Sequence, residues 1–235
     1  MIMKRYFTME KWPSIKQEAG KTEHQEENGK DFGKWRIDEI ISPTIKEKIL
    51  TVKQIHGGNI GKAEQVVPGE TEADGILITN ESGIIAGIST ADCAPVIILT
   101  ENKAIALHVS RKTLVNGQMD NVLNYLEPKE IDYIYVGPHI CEYHFSFLRE
   151  EYMLRRFRLR FGRATHWHHG SIYLSLKVAL QYFFNDWDIH PNKIYYDGRC
   201  TYEMLMLPSY RRRLDTGRAE EVKDFLTTVR RRGVT

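Results

Sequence analysis

Three short apolar runs constrain this chain most: 84–88 (Ile-Ile-Ala-Gly-Ile), 96–99 (Val-Ile-Ile-Leu) and 104–109 (Ala-Ile-Ala-Leu-His-Val). They are too short for typical helices and rich in isoleucine, so they predict buried strands. Between the first two lies Ser89-Thr90-Ala91-Asp92-Cys93-Ala94-Pro95, and His108 follows Cys93 near the end of the third run. An acid beside a thiol, at the mouth of two buried strands, is an unusual place for polar side chains unless they bind or react. This stretch is therefore the expected centre of a site.

Other elements follow from the same reading. Residues 49–52 and 73–79 predict strands, and Gln54-Ile55-His56-Gly57-Gly58 places paired glycines after a histidine, where backbone approaches something closely. Leu114, Val115, Met119, Val122, Leu123 and Leu126 repeat at helical spacing, with Thr113 as N-cap and Pro128 as stop. A strand over 131–136 ends in the rigid turn Gly137-Pro138-His139-Ile140. Helices are expected over 149–163, 174–187 and 219–232, and a strand over 193–196. Residues 14–34, polar and interrupted by Gly20, Gly29 and Gly33, read as an exposed loop.

With 235 residues, 42% of them hydrophobic, the chain can bury a substantial core, and no internal repeat points to a solenoid. The net charge of +2 is close to balance. The 149–163 segment concentrates six arginines, yet no nucleic-acid motif accompanies them, so a solvated helix face is expected rather than a nucleic-acid surface. Three widely spaced cysteines do not resemble a secreted disulfide framework, and no apolar run approaches the roughly 20 residues that span a bilayer. These features predict a soluble, cytoplasmic protein without a membrane partner.

His56, Cys93 and His108 are residue types that zinc accepts, and three protein ligands leave a fourth position for water or substrate. The same residues serve a thiol nucleophile with a histidine base. They also serve a buried thiol and two histidines satisfied by backbone groups. Residue types alone leave all three readings open.

Six motifs narrow the choice. Lys53-Gln54-Ile55-His56-Gly57, Glu72-Ala73-Asp74-Gly75, Ser89 through Pro95, Ala106-Leu107-His108, Val136 through Ile140, and Ser209-Tyr210-Arg211-Arg212 with Thr216-Gly217-Arg218 occur in one order. In that order the chain resembles the YfiH-like laccase-domain family of purine nucleoside phosphorylases over roughly 51–140 and 196–218. The first fifty residues show no clear counterpart. The resemblance, with the elements above, implies a single α/β domain of layered mixed β-sheets covered by helices.

It also implies zinc on His56, Cys93 and His108, and phosphorolysis of purine nucleosides, with adenosine deamination in some members. Older descriptions of the family as copper polyphenol oxidases supply an alternative, and His166, His168 and His169 form a further histidine cluster. A Cys-His hydrolase and a non-catalytic nucleoside binder are the remaining alternatives. Under phosphorolysis, Arg111, Lys112, Arg211 and Arg218 are expected at phosphate and Asp74 at the ribose hydroxyls. Asp92 is expected to orient an imidazole or handle a proton. Where the family has Ala-Gly-Trp-Arg-Gly, this chain has Val109-Ser110-Arg111-Lys112-Thr113. Charge persists there, but a lysine lacks the planar fork that grips an oxyanion bidentately.

Overall fold

A computed structural model describes residues 29–41, 49–79, 83–217 and 225–232. The strands in chain order are β1 (Lys30–Phe32), β2 (Trp35–Ile41), β3 (Ile49–Leu50), β4 (Gly61–Lys62), β5 (Gly75–Thr79), β6 (Ile85–Ser89) and β7 (Ala94–Thr100). Then come β8 (Lys103–Val109), β9 (Ile131–Val136), β10 (Ser146–Phe147), β11 (Thr165–His168), β12 (Ser171–Leu174), β13 (Ile194–Tyr196) and β14 (Phe225–Arg231). The helices are α1 (Arg111–Val115), α2 (Gln118–Val122), α3 (Tyr152–Arg160), α4 (Leu176–Asp186) and α5 (Tyr210–Thr216).

A six-stranded mixed sheet, ordered β13-β9-β7-β8-β5-β4, forms the middle layer. Side chains alternate across a strand, and here both faces are buried. Val96, Ile98, Ile105 and Leu107 join Leu114, Met119, Leu154, Phe157, Leu180 and Phe184 of the helices in one core. Ile97, Leu99, Ala104 and Ala106 point the other way, against Ile37, Ala86, Ile88 and Val229. Those residues belong to a five-stranded sheet ordered β1-β2-β14-β6-β3. The Ile-rich runs are continuous because they need no solvent face. A three-stranded sheet, β10-β12-β11, completes the layered mixed α/β architecture.

Several expected elements take another form. Phe225–Arg231 is not helical but a strand paired with both β2 and β6. Phe225 to Val229 are all buried, and Thr-Thr-Val is β-branched, which favours the extended chain. Residues 219–224 lie outside the described set. The helix expected from Thr113 is two short helices, broken where Gly117 adopts a φ of 84°. Its cap is Ser110, whose side chain accepts from the Thr113 N–H while the Thr113 hydroxyl accepts from the Ser110 N–H. Of the loop expected over 14–34, the described part contains β1, which pairs with β2 around Gly33 and Lys34. Residues 14–28 lie outside the described set. On α3, Arg158 pairs with Glu150 and Arg160 with Asp120, so part of its positive charge is offset at the surface. No helix among the described residues is long and apolar enough to cross a membrane.

Candidate metal centre

Sheet register assembles the site at one edge of the central layer. Pro95 of β7 pairs with His108 of β8, which brings Cys93 beside that histidine. Gly75 of β5 pairs with Leu107, which places Asp74 at the same edge, and the Asp74 carbonyl accepts from the His108 N–H at 2.8 Å. A Cβ at Gly75 would lie 2.7 Å from Leu107 Cδ2 and 3.2 Å from the Ala106 carbonyl, so β5 and β8 approach this closely only with glycine there.

His56 enters from the loop between β3 and β4. Its φ is 61°, a region uncommon for a side chain other than glycine. The two following glycines explain the conformation: His56, Gly57 and Gly58 all aim their N–H groups at the Asp74 carboxylate. His56 donates to Oδ1 at 2.9 Å; Gly57 and Gly58 donate to Oδ2 at 2.7 and 3.1 Å. The fourth donor is His108, whose Nδ1 lies 2.8 Å from Oδ1. Burial pushes the Asp74 carboxyl up, but the bonds from His108 and from the Gly58 and His56 N–H groups outweigh it and hold it below the usual range.

This arrangement corrects two expected roles. Asp74 is fully buried and its oxygens are taken by four donors, so it orients His108 rather than meeting ribose. Asp92 does not reach an imidazole: its oxygens accept from the Thr201 hydroxyl and the Arg211 N–H, both at 2.7 Å. Asp92, at a φ of 87°, ties the strand mouth to the C-terminal segment.

With Asp74 on Nδ1, the His108 Nε2 is left to face the cluster. Donor atoms of His56, Cys93 and His108 lie within 4.8 Å of one another, with Cys93 Sγ 4.0 Å from His56 Nε2. The two imidazoles meet edge to face, 4.7 Å between centroids. One thiolate and two imidazoles, one backed by a buried carboxylate, suit a borderline-soft divalent metal. Burial pushes the Cys93 thiol up, yet its bonds to His108 and His56 bring it to about 7. Burial lowers His108, while Asp74 and Cys93 together lift it to about 9. Each partner thus stabilises the charged form of the other.

The expected phosphate-binding cations divide. The Arg111 and Arg211 guanidinium carbons lie 4.7 and 5.4 Å from the Phe147 ring centre, so both cations sit against one ring. Arg111 is also paired with Glu151. Lys112 is exposed, and Arg218 lies outside the described residues. Phe147, Glu151 and Thr201 had no signal in the sequence, since each acts through a distant partner. Asn116 and Gln118 are also part of the frame: they donate to the His56 carbonyl at 3.2 Å and to the Asp74 carbonyl at 2.8 Å. His166 and His168 are on exposed β11, with His169 in the following turn, and they do not join either converging group of metal donors among the described residues.

The model of the multi-copper polyphenol oxidoreductase laccase family matches residues 35–222. The chain belongs to that family. The match begins at Trp35, so the family pattern extends further toward the N-terminus than the motifs indicated. Within this laccase-like family, the chain is 26% identical over 133 residues to a purine nucleoside phosphorylase of Rickettsia conorii, covering 52% of this chain and 55% of that one. It is 26% identical over 205 residues to purine nucleoside phosphorylase YfiH of Shigella flexneri, covering 83% and 79%. The match thus spans about half the length of the rickettsial relative. A solved Neisseria meningitidis protein superposes with a TM-score of 0.71 at 15% identity, covering 87% of this chain and 98% of that one. That likeness establishes the fold.

Proposed function

We propose that this protein is a zinc-dependent purine nucleoside phosphorylase that cleaves adenosine- or inosine-type nucleosides with phosphate. The observation that carries the reading is the convergence of His56, Cys93 and His108 in front of a buried Asp74, in a chain whose relatives bear that name. His56, Cys93 and His108 would hold the zinc, which supplies Lewis-acid polarisation of a bound oxygen.

The chain's own residues do the rest. Asp74 accepts from His108 Nδ1–H and so fixes the tautomer that leaves Nε2 free. Arg211 is anchored by its backbone to Asp92, beside Cys93, and carries its guanidinium against Phe147. Arg211, Lys112 and Arg218 supply positive charge for phosphate, and Arg111 joins them when it leaves Glu151. Positioning and electrostatics dominate such a reaction, because the nucleophile is already an anion. Adenosine deamination is a further activity of the same site.

The test is incubation of purified protein with adenosine, with and without phosphate, and chromatography of the products. Adenine and ribose 1-phosphate formed only with phosphate support the reading. Inosine alone points to deamination, and no product from adenosine, inosine, guanosine or methylthioadenosine at high enzyme concentration with zinc bound rejects the phosphorylase reading.

One observation favours a second reading. The donor atoms of Cys93 and His108 lie within 4.8 Å of each other, the thiol-to-imidazole proximity that a Cys-His hydrolase uses. One metal ion fewer per chain in His56→Ala than in the wild type counts against it. Copper accepts the same donor set, and dioxygen-dependent oxidation of a polyphenol tests that alternative.

A further inference from the structure

Two turns remote in sequence repeat one pattern. In Cys141-Glu142-Tyr143-His144, the N–H groups of His144 and Phe145 donate to the Cys141 carbonyl, each at 3.2 Å. In Cys200-Thr201-Tyr202-Glu203, those of Glu203 and Met204 donate to the Cys200 carbonyl at 3.2 and 3.0 Å. Each turn carries a thiol first and an imidazole or carboxylate fourth. A parallel bridge between His139 and Cys200 sets the turns side by side. The Cys141 N–H donates to Cys200 Sγ at 3.2 Å, and Tyr202 stacks on His144 at 4.1 Å.

The side chains converge as the backbone does. Donor atoms of Cys141, Cys200 and Glu203 lie within 4.8 Å of one another. Cys141 Sγ is 3.7 Å from Glu203 Oε1, and His144 Nε2 is 3.1 Å from that same oxygen. We propose that Cys141, Cys200 and Glu203 form a second site for a zinc-class divalent cation, with His144 holding the carboxylate. This site is separate from His56, Cys93 and His108 and does not depend on the phosphorylase reading.

Chemistry selects the ligand class. Two sulfurs favour zinc-like ions over magnesium or calcium, which take oxygen donors. Cys200 and Glu203, with two residues between them in one turn, have the short spacing with which a turn offers two ligands to one zinc, and Cys141 adds a third from the neighbouring turn. Binding replaces one proton on each thiol with the metal, so two protons are released to solvent. The carboxylate is a third donor, which a simple disulfide pair has no use for. Occupied, the site clamps the loop after β9 to the segment whose Thr201 holds Asp92.

Cobalt(II) titration of the metal-free, reduced full chain tests this, read by stoichiometry and by the thiolate-to-cobalt absorption band. The wild type is expected to bind two ions per chain. Cys141→Ser and Glu203→Gln are each expected to bind one fewer ion. With both thiolates of the second site then unligated, the band falls by roughly two-thirds. His56→Ala should keep the two-thiolate part of the band. Glu203 is exposed, and retained cobalt at Cys93 shows that each variant is folded. A single ion in the wild type that His56→Ala removes, or two ions in both Cys141→Ser and Glu203→Gln, overturns the proposal. So does a Cys141–Cys200 disulfide recovered in metal-free protein that takes up only one ion after reduction.

Discussion

Replacing Asp74 with asparagine removes a charge and almost no volume, so its effect isolates the carboxylate. Each oxygen accepts two bonds: Oδ1 from the His56 N–H and His108 Nδ1, Oδ2 from the Gly57 and Gly58 N–H groups. With the NH2 at the Oδ2 position the Gly57 and Gly58 N–H groups both lose their acceptor; at the Oδ1 position the His56 N–H does, while His108 must change tautomer. A buried donor left unsatisfied costs about 1–3 kcal/mol, so with one or two such donors the variant should lose about 1–6 kcal/mol. For a chain of this size that lowers the melting temperature by roughly 10 °C. If the amide NH2 faces His108, Nδ1 must accept, the proton moves to Nε2, and the nitrogen facing the cluster is blocked. Loss of such an orienting partner lowers metal affinity by about 10- to 100-fold. Thermal melts with and without zinc, together with competitive chelation, measure both effects. Wild-type zinc affinity and a melt within about 2 °C of wild type would refute the reasoning.

The buried ionic network between the sheets gives further predictions. Arg199→Ala leaves buried Glu39 and Asp197 with Lys30, at 3.5 and 3.3 Å, as the cation they share, beside the neutral Tyr135 hydroxyl and the residue-199 N–H, and should cost about 3 kcal/mol in denaturant unfolding. Burial raises the Asp197 carboxyl, but two bonds from the Arg199 side chain and one from its N–H hold it below the ordinary value. Its stabilisation is therefore present above about pH 4 and lost as pH falls through the folded value; Asp197→Asn should flatten this acid-side slope in melts at stepped pH. Gly75→Ala drives a methyl into Leu107 and the Ala106 carbonyl, and should cost about 1–3 kcal/mol and weaken zinc binding through displaced His108.

The central strands were legible because an apolar run is a local signal, whereas the set His56, Cys93 and His108 came from the family's motifs, since residue types alone left three readings open. Ile-Ile-Leu and Ala-Ile-Ala-Leu have too few residues for anything but a buried strand, and register then brings Cys93 to His108. What escaped depends on partners far along the chain. Asp74 read as a ribose ligand because nothing local shows that three N–H groups from 56–58 close around it. Phe225 to Val229 read as helix because the arginines that follow suit a helix C-terminus, whereas the strand is stabilised by β2 and β6 on either side. The break at Gly117 was hidden by apolar spacing that continues across it, since α2 still buries Met119 and Val122 on the same core. Cys141 and Cys200 had no meaning apart until one bridge at His139 aligned their turns.

The proposed activity requires His56, Cys93 and His108 to act together as a metal centre. Zinc-edge X-ray absorption on the Cys141→Ser/Cys200→Ser double variant tests that directly, because Cys93 is then the one remaining thiol. The spectrum should show a single sulfur, two imidazole nitrogens and one further light atom around the zinc. A zinc shell without sulfur, or a folded double variant that retains no zinc, would contradict it.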